Sequence, residues 1–115
     1  GAPKVFYKAS EFTEIAPASD GKLSLRQLGN AQNHALQVLH ETYPVGADTG
    51  PEEISHDGEE AGIVVSGSIE VTVDGHAAIL NAGDGYIFDS RLPHRFRNVG
   101  QTVCEIVSAC TPPSF

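Results

Sequence analysis

Two stretches of the chain decide its fold: residues 54–71, ISHDGEEAGIVVSGSIEV, and residues 83–98, GDGYIFDSRLPHRFRN. Apolar and polar residues alternate from 69 to 74, and this alternation places the apolar side chains on one face of a strand. The pair Asp74-Gly75 follows, which is favoured in two-residue hairpin turns, and residues 77–80 supply the returning strand. The sequence here predicts an antiparallel hairpin with one buried face.

Short strands and turns continue on both sides of this hairpin. Turn residues separate apolar segments at residues 22–28, 35–43, 86–88, 94–98 and 103–109. The best helix candidate is a single turn from Glu11 to Ile15, capped by Ser10. Many short strands with almost no helix predict an all-β sandwich or closed barrel. A length of 115 residues suits one domain with a single core.

The charge balance narrows the classes of partner. Fifteen acidic and seven basic residues give a net charge of −8, so most of the surface repels a phosphate backbone and we expect no direct nucleic-acid binding. No apolar run approaches the roughly 18 residues of a membrane helix. The first residues lack the charged-then-apolar pattern of a signal peptide, and we expect a cytoplasmic protein.

Cys104 and Cys110 are the two cysteines of the chain, and both belong to one predicted strand. Six residues of extended chain separate them by roughly 20 Å, which is far beyond the reach of a disulfide. We expect buried thiols, as in a reducing compartment, with pairing between subunits left open.

The two opening stretches resemble the two motifs of the cupin family. The first family motif runs His-x-His, three or four residues, Glu, six residues and Gly. Here His56 takes the second histidine position, and Glu60 and Gly67 follow at the family spacing. The second motif ends in His, three residues and Asn, which His94 and Asn98 reproduce.

This resemblance implies a double-stranded β-helix, or jelly roll, of the RmlC-like kind. It covers the chain from about residue 22 to residue 115, within a single domain of residues 1–115. Residues 1–21 are then an N-terminal arm of strand and turn. Because the family often dimerises by pairing or exchanging edge strands, we also expect a homodimer.

The resemblance further implies a metal site formed by His56, Glu60 and His94. Ile54 stands where the family usually has its first histidine ligand, so the usual four ligands are reduced to three. Two histidines and a carboxylate can hold divalent iron, manganese, nickel or zinc and leave open positions, as in non-haem iron(II) oxygenases. Within the cupins, the set resembles that of hydroxypropylphosphonic acid epoxidase.

Elementary electrostatics supports the same grouping of residues. Gly58 lets the chain turn between His56 and Glu60 and bring the carboxylate back toward the imidazole. A buried carboxylate requires a cation, a proton or an arginine, because its desolvation is otherwise too costly. The alternative is a metal-free, hydrogen-bonded polar pocket. The spacing to Gly67 favours Glu60 over Glu59, which we expect to be solvated.

His40 and Tyr86 are the candidates for catalysis. His40 is in phase with Leu36 and Val38, and if that face points inward the imidazole lines the pocket or carries a proton. The alternative is a hydrogen-bonded core histidine. Tyr86 is expected mainly as part of the pocket wall.

Four further residues complete the predicted ligand pocket: Ile54, Arg91, Phe96 and Asn98. Phe96 and Asn98 share a strand face with His94, whereas Arg95 and Arg97 should face outward and form surface ion pairs. Arg91 lies in the loop before His94 and could attract a carboxylate or a phosphate at the mouth of the barrel. Arg91 and Asp89 also replace a glycine and a proline that are frequent in the family.

Two functional hypotheses follow. The first is a metal-dependent enzyme, an oxygenase or an isomerase or lyase, that acts on a small polar metabolite. The second is a sensory domain, since the segments HDGEEAG, FDSRLPHRFRN and TPPSF look like the C-terminal effector-binding domains of helix-turn-helix regulators. Fold alone does not decide between them, so we predict a small-molecule-binding cupin.

Overall fold

The computed structural model describes residues 3–16, 23–50 and 55–114 of the chain. Within these ranges there are two 3-10 helices of three residues each, Ala9–Glu11 and Ala31–Asn33. There are nine strands: β1 (Thr13–Ala16), β2 (Ser24–Gln27), β3 (Gln37–Tyr43), β4 (Glu59–Ser66), β5 (Ser68–Val73), β6 (His76–Asn81), β7 (Gly85–Asp89), β8 (His94–Arg97) and β9 (Cys104–Thr111).

The strands form two antiparallel sheets. One has six strands in the order β1-β2-β3-β9-β4-β7, and the other has three in the order β6-β5-β8. Because β4 and β5 are consecutive in the chain but lie in different sheets, the chain crosses repeatedly from one layer to the other. The predicted all-β jelly roll, or double-stranded β-helix, is confirmed. None of the helices in the described ranges is long and apolar enough to cross a membrane.

The hairpin of β5 and β6 is as the sequence predicts. Val73 pairs with His76 across the turn, and Asp74 and Gly75 both have positive φ, at 50° and 81°. Two positive φ values define the turn that matches the right-handed twist of paired strands. The inward residues of β5, Ile69 and Val71, are buried.

The N-terminal segment differs from the prediction. A 3-10 turn, Ala9–Glu11, replaces the start of the predicted helix, and the residues that follow form β1. Thr13 pairs with Gln27 of β2, so this segment extends the edge of the larger sheet. Pairing with β2 satisfies more backbone groups than one isolated helical turn can.

The core lies between the two sheets and is built from the inward faces of their strands. Tyr43, Val64, Ile69, Phe96 and Ile106 are all at most 5% exposed. Both cysteines are buried and free, as expected. Strand β9 pairs on one side with β3 and on the other with β4, so it joins the two halves of the larger sheet.

Gly67 provides a test of this packing. It has φ of +76°, and a Cβ added there would overlap the carbonyl oxygen of Val103. Gly83 has a similar φ of +94° with nothing within 4 Å of an added Cβ. We expect Gly67→Ala to lower the free energy of unfolding by about 1–3 kcal/mol more than Gly83→Ala, because only the first adds overpacking to the strain of a positive φ. Urea denaturation measures both, and equal losses would contradict the packing described.

Candidate functional site

Three side chains from separate parts of the chain meet inside the barrel. His56 lies in the segment before β4, Glu60 is the second residue of β4, and His94 begins β8. The Nε2 atoms of His56 and His94 lie 3.3 Å and 3.2 Å from the same oxygen, Oε1 of Glu60. One potential ligand atom from each residue lies within 4.8 Å of the other two. The structure therefore brings together the three residues that the spacing singled out.

His94 is held in a defined orientation. Its side chain is only 2% exposed, and its Nδ1 lies 2.7 Å from the carbonyl oxygen of Leu92. Since a carbonyl oxygen can only accept, Nδ1 carries a proton and donates it, so Nε2 of the neutral ring presents its lone pair to Glu60. The ring also packs against Phe88, with centroids 5.0 Å apart.

Ser90 holds the Glu60 carboxylate and the His56 backbone in place. Its hydroxyl donates to Oε1 of Glu60 over 3.2 Å, and its carbonyl oxygen accepts from the backbone N–H of His56 over 2.9 Å. The Ser90 side chain is fully buried. The pattern of the sequence did not indicate this role, because a serine in a polar loop carries no periodic signal.

Gly58 makes the turn that joins His56 to Glu60. Its φ is +122°, and a Cβ added there would lie 2.5 Å from the carbonyl oxygen of Thr111. Its own carbonyl oxygen accepts from the backbone N–H of Ser90 over 2.8 Å. Only glycine fits this conformation and this close approach, so the turn predicted at Gly58 is present.

The three donor atoms fit a divalent metal ion. An Nε2 lone pair and a carboxylate oxygen at 3.2 Å repel one another unless a proton or a cation is shared between them. Ligand atoms about 2.1 Å from one ion are roughly 3.0 Å apart at right angles and roughly 3.4 Å apart at tetrahedral angles. The distances from Glu60 to His56 and His94 fall within that interval, and all three donor atoms lie within 4.8 Å of one another.

The trio lies in the wall of a cavity of about 310 Å³. Its apolar lining includes Leu23, Leu25, Leu39 and Phe96. This volume is at the lower end of the range typical of small-molecule sites. Phe96 thus lies where the ligand pocket was predicted.

Glu41, on β3, is one of three carboxyl residues in the cavity wall, with Glu60 and Asp48. The hydroxyl of Tyr43 donates to its Oε1 over 2.8 Å, and the hydroxyl of Ser108 donates to its Oε2. Burial raises the pKa of Glu41 above its ordinary value, and these two hydrogen bonds only partly oppose that shift. Glu41 was not singled out from the sequence, although the alternation of β3 contained the signal.

The face of β3 that carries His40 points outward, contrary to the phase considered above. The buried residues of β3 are Gln37, Leu39, Glu41 and Tyr43. His40 is half-buried on the outer surface, where its Nε2 lies 3.3 Å from Oε1 of Glu105. Both sequence interpretations of His40, as a pocket residue and as a core histidine, are therefore wrong.

Tyr86 packs in an aromatic cluster of the core and is not among the residues that line the cavity. Its ring lies 5.1 Å from that of Phe96 and 5.7 Å from that of Phe88. Burial raises the pKa of Tyr86 well above its ordinary value, and the charges of Glu41 and Glu60 add to that rise. A hydroxyl that holds its proton so strongly is a poor base at neutral pH.

Arg91 and Asn98 do not contribute to the cavity. Arg91 is exposed and its guanidinium binds Asp89, with 2.6 Å between the closest nitrogen and oxygen. The amide nitrogen of Asn98 donates to the carbonyl oxygens of Tyr43 and Thr102, both at 2.9 Å. The sequence suggested pocket roles for both residues, Arg91 from its polar loop and Asn98 from its strand face. In the structure Arg91 instead binds the neighbouring Asp89, and Asn98 binds backbone carbonyl oxygens.

Of the remaining predicted residues, three lie on the surface and one lies outside the residues that the structure describes. Arg95 and Arg97 face outward, and both pair with Asp48. Glu59 is exposed, as expected. Ile54 lies outside the residues that the structure describes.

The sequence matches the cupin-domain family over residues 39–110. With the jelly roll and the motif residues already in place, this match shows that the chain belongs to the cupin family.

Relatives of this chain include a transcriptional regulator. The chain is 37% identical over 114 residues to the HTH-type transcriptional regulator PuuR of Escherichia coli K12, covering 98% of this chain and 60% of that protein's length. The fold is similar to that of an RmlC-like cupin from Shewanella frigidimarina, with a TM-score of 0.77, 25% identity and coverage of 96% and 93% of the two chains.

A cupin domain of an XRE-family regulator from Enterobacter cloacae has a TM-score of 0.70 at 22% identity. It covers 80% of this chain and 98% of its own. The present chain is therefore a cupin domain related to those of transcriptional regulators.

The environment of Glu41 predicts an unusual dependence of stability on pH. Because its pKa is higher in the folded than in the unfolded chain, folding loses stability as the pH rises through the interval between the two values. Glu41→Gln removes this loss. We expect the variant to raise Tm more at pH 8 than at pH 4, by roughly a few degrees.

Thermal unfolding of protein treated with a chelator measures this gain. Glu59→Gln is the matched control, because it removes the same charge from an exposed position. A gain that is the same at both pH values, or that Glu59→Gln reproduces, would contradict the role of burial.

Proposed function

We propose that this cupin domain senses a small polar metabolite and binds it at a divalent metal ion held by His56, Glu60 and His94. The convergence of both imidazoles on one Glu60 oxygen, at 3.2–3.3 Å inside a cavity, carries the proposal. The similarity to a transcriptional regulator over nearly the whole chain supports the sensory role. Iron, manganese, nickel and zinc all accept this combination of ligands.

Each residue has a distinct part in the proposed site. His94 presents Nε2 because Leu92 binds the proton of Nδ1, and Ser90 orients the carboxylate of Glu60. His56, whose side chain is 24% exposed, lies on the accessible side. Three protein ligands leave positions at which the metal can bind an oxygen or nitrogen atom of the metabolite.

A metal-dependent enzyme is the second candidate, since the same open positions also suit an oxygenase or an isomerase or lyase. The two functions differ in the fate of the metabolite. A sensor releases its ligand unchanged, and chromatography of the small molecule after incubation with the metal-loaded protein would identify turnover. The third candidate is a metal-free pocket that binds an effector. The metal content of the purified protein distinguishes it from the other two.

We expect protein purified without a metal-affinity step to contain close to one equivalent of a divalent metal per chain. His56→Ala and His94→Ala should each lower metal affinity by at least about tenfold, since each removes one of three ligands. Elemental mass spectrometry gives the content, and titration of the metal-free protein with Co²⁺ gives the affinity from its visible absorbance.

His76→Ala is the control, because His76 is exposed on β6 and should leave metal binding unchanged. Circular dichroism establishes that the variants remain folded. Full metal binding by both His56→Ala and His94→Ala would exclude these ligands, and absence of metal after reconstitution would favour the metal-free sensor.

The outer face of the larger sheet supports the proposal of a homodimer. Ile63, Val65, Ile87 and Val107 are between 45% and 71% exposed there, on the adjacent strands β9, β4 and β7. Their centre carries no charge, so two copies of an acidic chain can pack this face against itself around a twofold axis. This mode uses the sheet face and not the edge strands considered from the sequence.

We expect Ile87→Glu to convert the dimer to a monomer, because a charge on this face would be buried against the other copy. Ile79→Glu on β6 is the control, since Ile79 is also 50% exposed but lies in the smaller sheet. Sedimentation velocity measures the state of each variant. A monomeric parent protein, or a dimer that survives Ile87→Glu, would contradict this interface.

A cytoplasmic location and the absence of direct nucleic-acid contacts by this domain belong to the same proposal. The sensor role supports the first, and the net charge of −8 supports the second.

A further inference from the structure

Glu41 is separated from the proposed metal ligands along the same sheet. Glu60 pairs with Cys110 of β9, and Cys110 pairs with Gln37 of β3. Glu41 lies four residues beyond Gln37, or roughly 13 Å farther along the strand. The cavity reaches both carboxyl groups, so it has an acidic group in two different parts of its wall.

The three carboxyl groups around the cavity differ in the groups that oppose their charge. Among the described residues that line it, none is a lysine or an arginine. Asp48 pairs with Arg95, and Glu60 faces two histidines. The hydrogen bonds described for Glu41 come from two neutral hydroxyl groups, those of Tyr43 and Ser108.

Two hydroxyl donors do not saturate a carboxylate. Its two oxygens offer about four lone-pair sites, and Tyr43 and Ser108 each occupy one. A charge in so dry a place is costly unless a proton or a cation neutralises it. A metal ion is a poor candidate here, because Glu41 belongs to no described group of three potential metal ligands.

We propose that Glu41 forms an ammonium-binding subsite, so that the metabolite taken by this cavity carries a protonated amine. This rests on the proposed small-molecule function of the cavity but not on the metal. The ammonium group donates to Glu41, and Leu25, Leu39 and Phe96 contact the carbon chain. A second polar group of the same molecule can then reach the metal trio.

An ammonium group fits this surrounding better than a guanidinium does. A guanidinium brings five N–H donors in a fixed fork, whereas Tyr43 and Ser108 already occupy part of the carboxyl group and the leucines of the lining offer no further acceptor. A compact ammonium needs only one open lone pair and has three donors to distribute. The subsite therefore selects primary amines.

Hexylamine and hexan-1-ol are a matched pair of probes. They have the same chain, and the amine is protonated at neutral pH as a lysine side chain is. We expect calorimetric titration to show at least about tenfold tighter binding of hexylamine, because a charge-assisted hydrogen bond replaces a neutral one. The preference should be present with and without Zn²⁺.

Glu41→Gln should reduce the preference to less than about threefold, while Glu41→Asp, which keeps the charge, should retain part of it. Glu59→Gln is the control for loss of one exposed negative charge and should behave as the parent protein does. Cooperative thermal unfolding establishes that each variant is folded. These variants should also keep the metal content of the parent.

The possible outcomes separate this subsite from the metal site. If protein that holds no metal still prefers the amine, and this preference depends on Glu41, the result supports the subsite and contradicts only the proposed metal site. A preference that survives Glu41→Gln, equal binding of the two probes, or no binding of hexylamine at 10 mM overturns the subsite, whatever the metal content.

Discussion

The interior of this barrel is governed by the need to neutralise buried carboxyl groups. Glu60 faces two imidazoles and a serine hydroxyl, and Glu41 faces two hydroxyls. Desolvation of such groups without a counter-charge is costly, so the cavity is suited to positive charge brought from outside. A divalent ion at Glu60 and an ammonium group at Glu41 would each answer that need, and a metabolite that bridges them would use the whole length of the cavity.

The fold supplies this arrangement through strand parity. Alternate residues of β3 and β9 point inward, which places Glu41 and Ser108 together although 67 residues separate them in the chain. Strand alternation alone does not explain the metal trio, because His56 lies in the turn before β4 and Glu60 lies in β4 itself. Gly58 brings them together, and its fit against Thr111 ties this turn to the end of β9. Backbone geometry thus fixes the site before any ligand contributes.

Much of this could be predicted from the sequence where one signal dominates. The β5–β6 hairpin has a single apolar face and a turn that only certain residues adopt, and the trio follows from the spacing of family motifs. Strand β3 was harder, because apolar residues occupy both of its faces: Leu39 and Tyr43 inside, Val38 outside. Two apolar faces leave the phase undetermined. That ambiguity concealed Glu41 and directed attention to His40. Ser90, Arg91 and Asn98 depend on loop geometry, which periodicity does not report.

Strand β9 has one further consequence. Its inward side chains, Ser108 and Cys110, line the cavity, while its outward Val107 and Ala109 lie on the exposed apolar face. A single layer of backbone therefore separates whatever occupies the interior from whatever covers the exterior. A change in the position of that strand would therefore alter the inner and the outer surface together.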